Sequence, residues 1–306
     1  MEEVYAMLII RPWLRPNDTA QVQRLASRLW PRASHPGGLG WEATSDQLPD
    51  ETVIALRDGR VVGWAGLDDG FITVQSDQTD DECASSLLSW AIDTAGRGAL
   101  SVGVFDGDEL LLRAVINEGF TPDPGSEMLG MFHAADHVVA SLPTGYRIRS
   151  TQAKEKVERV TVHRDAWRPA TLAWPDGDEL VKNIPLDATS RFTSEQFDEV
   201  QKAWLYDERL DLVVEAPDGT LAACCTVWWD PAIGVAEVEP LGVVPAHRRL
   251  GLAGALVTEA RNQIALRGGK TVFINTWITE SYPAPAQTYL TVGFQIKRRG
   301  QIYKRA

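Results

Sequence analysis

The feature that most constrains this chain is that it begins twice. Leu8-Ile9-Ile10-Arg11 opens the first half and Tyr146-Arg147-Ile148-Arg149 opens the second. Each opening is followed by a polar stretch of helical character that ends near a tryptophan, Trp30 or Trp167. A hairpin signal comes next between apolar runs: Arg57-Asp58-Gly59-Arg60 in one half, Pro217-Asp218-Gly219-Thr220 in the other. Each half closes on a strand after a Gly-Phe pair, Gly119-Phe120 or Gly293-Phe294. Ordered self-similarity of this kind is expected of a duplicated α/β unit. At roughly 150 residues per domain, 306 residues hold two such units, each long enough to bury a core. Pro143 and Gly145 break the chain near Ala134–Gly145, which places the units at 1–142 and 143–306. The second unit is longer. Its extra residues lie mostly in 170–207, a segment of helical character that carries Trp174 and Trp204.

Charge is divided unevenly. The chain carries a formal −12, which argues against a nucleic-acid partner. Residues 1–142 hold 9 Arg, no Lys and 22 acidic residues, a net of −13, and residues 143–306 stand at +1. The two halves are therefore expected to do different work. The three cysteines, Cys83, Cys224 and Cys225, do not make a disulfide framework. Cys224 and Cys225 are expected on opposite faces of one strand, and all three reduced in a cytoplasmic protein. The start Met1-Glu2-Glu3 is acidic where a signal peptide needs basic residues, and no apolar run approaches the ~18 residues of a membrane helix. His133 and His137 around Asp136 are read as a solvated linker rather than a metal site, and no metal is expected. Gly269-Lys270-Thr271 mimics the end of a phosphate-binding P-loop. Ile264 stands where that motif needs glycine, and a strand follows instead of a helix.

The segment with chemistry is Ala236–Lys270. Glu237 to Val244 has strand character, and period two places Glu237, Glu239, Leu241 and Val243 on one face. Pro245 stops the strand. His247 to Gly254 then leads into a helix with Leu252, Leu256, Ala260 and Ile264 every four residues, ended by Gly268-Gly269. A strand, an Arg/Gly loop and a helix start together make an anion site, because first-turn N–H groups lack partners and the helix dipole favours negative charge. Gly251, Ala253 and Gly254 clear bulk for an approaching anion, and Arg248 and Arg249 add charge and bidentate donors. The competing reading is a basic helix start whose small residues serve packing.

Arg248-x-x-Gly251-x-Ala253 resembles the acyl-CoA pyrophosphate signature Q/R-x-x-G-x-G/A of the GNAT N-acetyltransferases. Glu239-Pro240-Leu241-Gly242-Val243-Val244-Pro245 is similar to that family's fourth strand, and Val272-Phe273-Ile274-Asn275 to its fifth. Tyr289-x-x-x-Gly293-Phe294 is similar to the helix and strand that follow. The sequence departs from the family at Thr288, where an aliphatic residue is usual, and at Pro283 and Pro285 in the expected helix start. The whole chain resembles the tandem two-domain type of the family, in a mycothiol synthase-like arrangement. The fold this implies is α/β: two tandem GNAT folds, each a mixed, mostly antiparallel sheet flanked by helices.

The resemblance implies direct transfer of an acetyl group from acetyl-CoA to an amine of a small molecule or peptide in the second unit. The alternative is a non-catalytic acyl-CoA-binding or regulatory module. An alkyl amine with a pKa near ~10 is almost wholly protonated at pH 7 and needs a base. Glu239 is the first candidate and Glu237 the second, against two solvated edge carboxylates. Tyr289 matches the family's proton donor to the departing thiolate, against a packing tyrosine, with Tyr282 as fallback. Leu241, Val243, Val244, Arg248, Arg249, Gly251, Leu252, Ala253, Gly254 and Asn275 are expected to hold the acetyl-CoA. Within this set, backbone N–H groups near Val243 and Val244 would take the acetyl carbonyl and pantetheine arm. Trp167, Trp174, Trp204, Trp228, Trp229 and Trp277 are core residues in one reading; in the other, one or two from 165–207 wall a pocket for an acceptor with an apolar body.

The first unit is expected to keep the fold without acyl-CoA. A gap-free alignment of Val74 on Val243 and Leu87 on Leu256 places Thr79-Asp80-Asp81-Glu82-Cys83-Ala84 on the Arg248–Ala253 loop. Three carboxylates then face a ligand carrying about four negative charges, each close like-charge pair costing about 1 kcal/mol in water and several times that near a protein surface. Aligned by Gly-Phe, Val115 takes the place of Tyr289. No membrane partner is expected, and oligomeric state is unreadable.

Overall fold

A computed structural model of the chain describes residues 7–45, 47–168, 189–278 and 284–306. Trp174, Tyr282 and Pro283 lie outside the described residues, as does the side chain of Trp277. The chain divides into two units, Met1–Leu129 with Arg298–Ala306, and Gly130–Lys297.

The first unit runs β1 (Ile9–Pro12), α1 (Thr19–Leu29), α2 (Pro36–Thr44), β2 (Glu51–Arg57), β3 (Arg60–Asp68), β4 (Phe71–Ser76), α3 (Asp81–Ala95), β5 (Leu100–Phe105), α4 (Glu109–Asn117) and β6 (Thr121–Ala134), the last of which continues past Leu129. Among the described residues the second repeats that order: β7 (Arg147–Ser150), α5 (Lys156–Ala166), α6 (Ser194–Val200), β8 (Asp211–Glu215), β9 (Leu221–Asp230), β10 (Val235–Val243), α7 (Leu252–Leu266), β11 (Thr271–Ile278), α8 (Ala284–Thr291) and β12 (Gln295–Arg305), whose residues from Arg298 on belong to the first unit. Among the described residues, the duplication read from the sequence is therefore present element by element. Both hairpins form where the Asp-Gly pairs stand. Arg57 pairs with Arg60 around Asp58 and Gly59, both at positive φ. Ala216 N–H bonds the Thr220 carbonyl around Gly219 at φ 87°.

In each unit the first four strands pair antiparallel, and the fourth pairs the fifth in parallel. This is the mixed, mostly antiparallel sheet expected. The parallel register is short. β4 and β5 share only Phe71↔Ser101 and Ile72↔Val102, and β10 and β11 only Val235↔Thr271 to Glu237↔Phe273.

The unit boundaries differ from 1–142 and 143–306. The stretch after β6 is docked on α7. Ala135 N–H bonds the Lys270 carbonyl, Arg261 bonds the Ala134 carbonyl and pairs with Asp136, and the Asn262 carboxamide bonds both backbone groups of Val138. Asp136 is thus an ion-pair partner, and the solvated linker is a strap of the second unit. At the other end, Gly300–Arg305 of β12 pairs antiparallel with β5 in the first unit. Arg299, Lys304 and Arg305 of that strand pair with Glu127, Asp123 and Glu118. Counted by the units as folded, the charges are −8 and −4, so the −13/+1 contrast is much reduced. Strand exchange between sequence-distant partners leaves no local signature, which is why a boundary signal misses it.

Candidate active site

The core face of α7 forms as its period predicts. Leu252, Leu256, Ala260 and Ile264 are all buried. Gly268 at φ 79° ends the helix, with Gly268 N–H on the Ala265 carbonyl and Gly269 N–H on that of Ile264. A short turn, Pro245–His247, separates β10 from the loop. At the helix start Gly251 takes the left-handed conformation, φ 78°, with nothing within 4 Å of where a Cβ would lie. No side chain caps this helix and no acidic residue sits in its first turn. The N–H groups of its first turn are thus left to solvent or to an anion, beside exposed Arg249. Gly254 serves packing: a Cβ there would meet Val292 at 3.1 Å.

Arg248 is placed differently from the expectation. Its Nε donates to the Val243 carbonyl at 3.0 Å, and its Nη2 donates to the carbonyls of Ala166 at 2.9 Å and Arg168 at 2.8 Å.

β10 carries a bulge. Val238 pairs with Val227 but Leu241 pairs with Cys225, so one extra residue sits at Glu239-Pro240. The extra residue reverses the alternation. Glu237 shares a face with Trp228 and Gly242, and Leu241 and Val243 share the opposite face with Val238. The single face carrying Glu237, Glu239, Leu241 and Val243 is thus corrected: period two fails across a bulge. Cys224 and Cys225, paired with Gly242 and Leu241, do lie on opposite faces. Glu237 is buried, Glu239 half-buried, and the Glu239 carbonyl accepts the Trp228 indole N–H at 2.5 Å.

The backbone expectation also divides. Val244 N–H is spent on the Ala222 carbonyl at 2.9 Å, so it does not offer a donor to a ligand. Strand alternation then turns the backbone edges of Leu241 and Val243 away from β9. The β11 register stops at Phe273, so those edges border a splay between β10 and β11. Asn275 stands two residues beyond the last pair, on the strand face of Phe273 and Glu237. Its Oδ1 is buried and has no hydrogen-bond partner. An orphan acceptor at a strand splay and an uncapped helix start fit a long ligand with amide N–H groups and an anionic end, as acyl-CoA has.

On the Glu237 face, a Cβ on Gly242 would lie 2.6 Å from Ala166 Cβ and 2.6 Å from the Trp167 ring. Glycine thus lets the end of α5 lie against β10. Trp167 is 44% exposed and stacks on His163 at 4.3 Å, with Phe192 against the imidazole at 4.7 Å. Burial, reinforced by Arg159, lowers the His163 pKa to about 3. Below it Arg159 and Asp211, both wholly buried, are joined through Nε and Nη2, and Thr226 bonds both. Sequence reasoning missed this pair; nothing local marks two charges 52 residues apart as partners. Tyr289 lies on α8, half-buried, with its ring 6.1 Å from that of Phe294. Trp228 is fully buried and is a core residue.

The first unit answers the same positions with its own side chains. The α3 start is capped by Asp80, which accepts Cys83 N–H at 3.0 Å, and Asp81 and Glu82 fill the first turn. Arg57 binds Asp80 through two nitrogens and also reaches Glu82, holding the Asp80 carboxyl below the usual carboxylate range. At the strand end Gln78 donates to the Ser76 carbonyl and to Asp108. The strand-to-helix loop is four residues shorter than in the second unit, so Asp80 rather than Glu82 answers Gly251. Val115 is buried in α4.

Residues 157–294 match the model of the Acetyltransferase (GNAT) family. No curated protein matches the chain in sequence. A GCN5-related N-acetyltransferase from Sphaerobacter thermophilus is similar in structure, with a TM-score of 0.55 and 17% identity, over 97% of this chain and 95% of that one. A tandem GNAT protein from the clavulanic acid biosynthesis pathway gives 0.55 and 15% over 98% of each chain. A GNAT-family acetyltransferase from Colwellia psychrerythraea gives 0.58 and 11%, over 97% and 100%. At these identities the likeness is one of fold, and it extends over both units. The stretch that carries the uncapped helix, the splay and the two glutamates lies within residues 157–294, which match the GNAT acetyltransferase family, a family whose chemistry is acyl-CoA-dependent acyl transfer.

Proposed function

We propose that the second unit is an N-acetyltransferase that moves the acetyl group of acetyl-CoA directly to an amine of a small molecule or peptide. The observation that carries this is the uncapped α7 start at Gly251 beside the β10/β11 splay, with Glu237 on the open strand's face. First-turn N–H groups of Leu252, Ala253 and Gly254, with Arg249, hold the pyrophosphate. The outward backbone edge of Leu241 and the N–H of Val243, whose carbonyl Arg248 takes, together with Asn275 Oδ1, hold the pantetheine amides. Glu237 or Glu239 takes the proton from the acceptor ammonium, directly or through a water. The amine nitrogen then bonds to the thioester carbonyl carbon, the C–S bond breaks, and Tyr289 O–H supplies a proton to the departing thiolate. The first unit keeps the fold without the cosubstrate, because the Asp80 carboxylate caps the α3 start that a pyrophosphate would need open. No helix among the described residues is long and apolar enough to cross a membrane. The three cysteines are free and buried, which suits a reducing, cytoplasmic setting.

The test is release of free thiol from acetyl-CoA with a panel of small and peptide amines, beside calorimetric binding of CoA. One CoA per chain with amine-dependent thiol release is expected. Tight binding with no thiol release across the panel would point to a binding module instead, and two CoA per chain would remove the assignment of the first unit.

A further inference from the structure

Arg248 occupies the position where a signature reading places a phosphate contact, yet three of the protein's own carbonyls take its Nε and Nη2. One belongs to Val243, the last residue of β10. The other two, Ala166 and Arg168, flank Trp167 on either side. Trp167 in turn is fixed on one side by His163, at 4.3 Å and 21° between ring planes. Its other constraint is Gly242, whose missing Cβ admits the ring to within van der Waals distance of β10. This places a half-exposed indole on the strand face that carries Glu237.

We propose that Arg248 is a positioning residue: it ties the loop that receives the acyl-CoA anion to the Trp167 wall of the acceptor side, so that filling the loop orders the wall. This rests on the acyl-CoA reading of the second unit. A guanidinium forms strong charge-assisted bonds to carbonyls in a fixed fork, so both its reach and its geometry are committed. The next residue, Arg249, is exposed at φ 65°, and the open N–H groups of α7 begin two residues later at Gly251. Work is therefore divided between neighbours. Arg249 and the helix start meet the anion, and Arg248 carries the consequence to the end of α5. An acceptor with a flat or apolar body would meet the indole only once the cosubstrate is in place. Coupling of this kind is a shift in local order, read by amide exchange.

The experiment uses the full chain with CoA as the probe. Calorimetry measures CoA binding to the unaltered protein and to Arg248→Ala, Arg248→Gln and Arg249→Ala, and hydrogen exchange follows residues 160–168 with and without saturating CoA. In the unaltered protein, CoA is expected to slow exchange at the end of α5 by about tenfold. Arg248→Ala should abolish that protection while weakening CoA by no more than about threefold, and Arg248→Gln, which keeps two amide donors, should restore part of it. Arg249→Ala should weaken CoA about tenfold and leave the protection intact at saturation. If Arg248→Ala fails to fold, Arg248→Gln is expected to show reduced protection at near-normal affinity, and full protection would count against the coupling. CoA weakened as much by Arg248→Ala as by Arg249→Ala, or equal protection with and without Arg248, overturns the inference alone. No CoA binding by the unaltered protein overturns the acyl-CoA reading and the inference with it.

Discussion

Placing the first unit's answer in the second unit's site tests the account of both. Gly251→Asp puts a carboxylate at the uncapped α7 start, where the first unit has Asp80. Nothing lies within 4 Å of the new Cβ, so there is no steric cost. The left-handed backbone at φ 78° costs a non-glycine residue about 1 kcal/mol, least for Asp and Asn. In a domain of this size that lowers Tm by roughly 2–4 °C. The electrostatic cost falls on the ligand. Two like charges at ~4 Å repel by about 4 kcal/mol at an effective dielectric near 20, and exposure and salt leave roughly half. A loss of about 2 kcal/mol is a ~30-fold rise in the CoA dissociation constant. Gly251→Asn carries the same backbone cost without the charge, so the comparison isolates the repulsion. Calorimetric titration of CoA at ~0.15 M salt, with melting curves alongside, measures both terms. Asp and Asn variants that bind CoA within about threefold of each other would refute the anion site at this helix start.

Four further outcomes follow from the second unit's geometry. Glu237→Gln or Glu239→Gln, whichever removes the base, should lower kcat/KM about 10²–10⁴-fold and flatten the acidic limb of the pH profile, and Tyr289→Phe should lower kcat; unchanged kcat removes the tyrosine from the mechanism. Arg159→Met leaves the Asp211 carboxylate buried without its ion, so chemical denaturation should show a loss of about 3–5 kcal/mol, largely recovered by Arg159→Met with Asp211→Leu. His163 is held neutral, its folded pKa of about 3 lying below the ordinary 6.5, so its contribution is fully present above pH 6.5 and lost as the pH falls toward 3. Stability measured in urea at pH 5 and 7 should differ more in the parent than in His163→Phe, by up to about 1.4 kcal/mol per pH unit below 6.5.

Several elements were legible because their causes are local. The α7 stripe of Leu252, Leu256, Ala260 and Ile264, its glycine end and the two Asp-Gly hairpins each depend on residues a few positions apart. So did the acidic start of α3, where Asp80 caps the helix and Asp81 and Glu82 fill its first turn. The Glu237 face was not legible, because a bulge is decided by what β9 offers across the ladder rather than by the β10 sequence alone. Nor was the fate of Arg248, whose Nη2 partners stand about 80 residues earlier in the chain.

By itself the sequence determined the duplicated order of strands and helices, and which copy keeps an open helix start. Both follow from short-range periodicity, turn chemistry and the charge of four or five consecutive residues. Tertiary structure alone decided where the units divide, with β12 giving its cations to the first unit's carboxylates and leaving the units at −8 and −4. It alone decided that Val244 N–H is spent, that Glu237 faces Trp167's side of the strand, and that Arg248 bonds the carbonyls on either side of Trp167. The physical reason is common to all of these. A donor, a carboxylate or a guanidinium takes the partner that folding brings within about 3 Å, and sequence separation does not enter that distance.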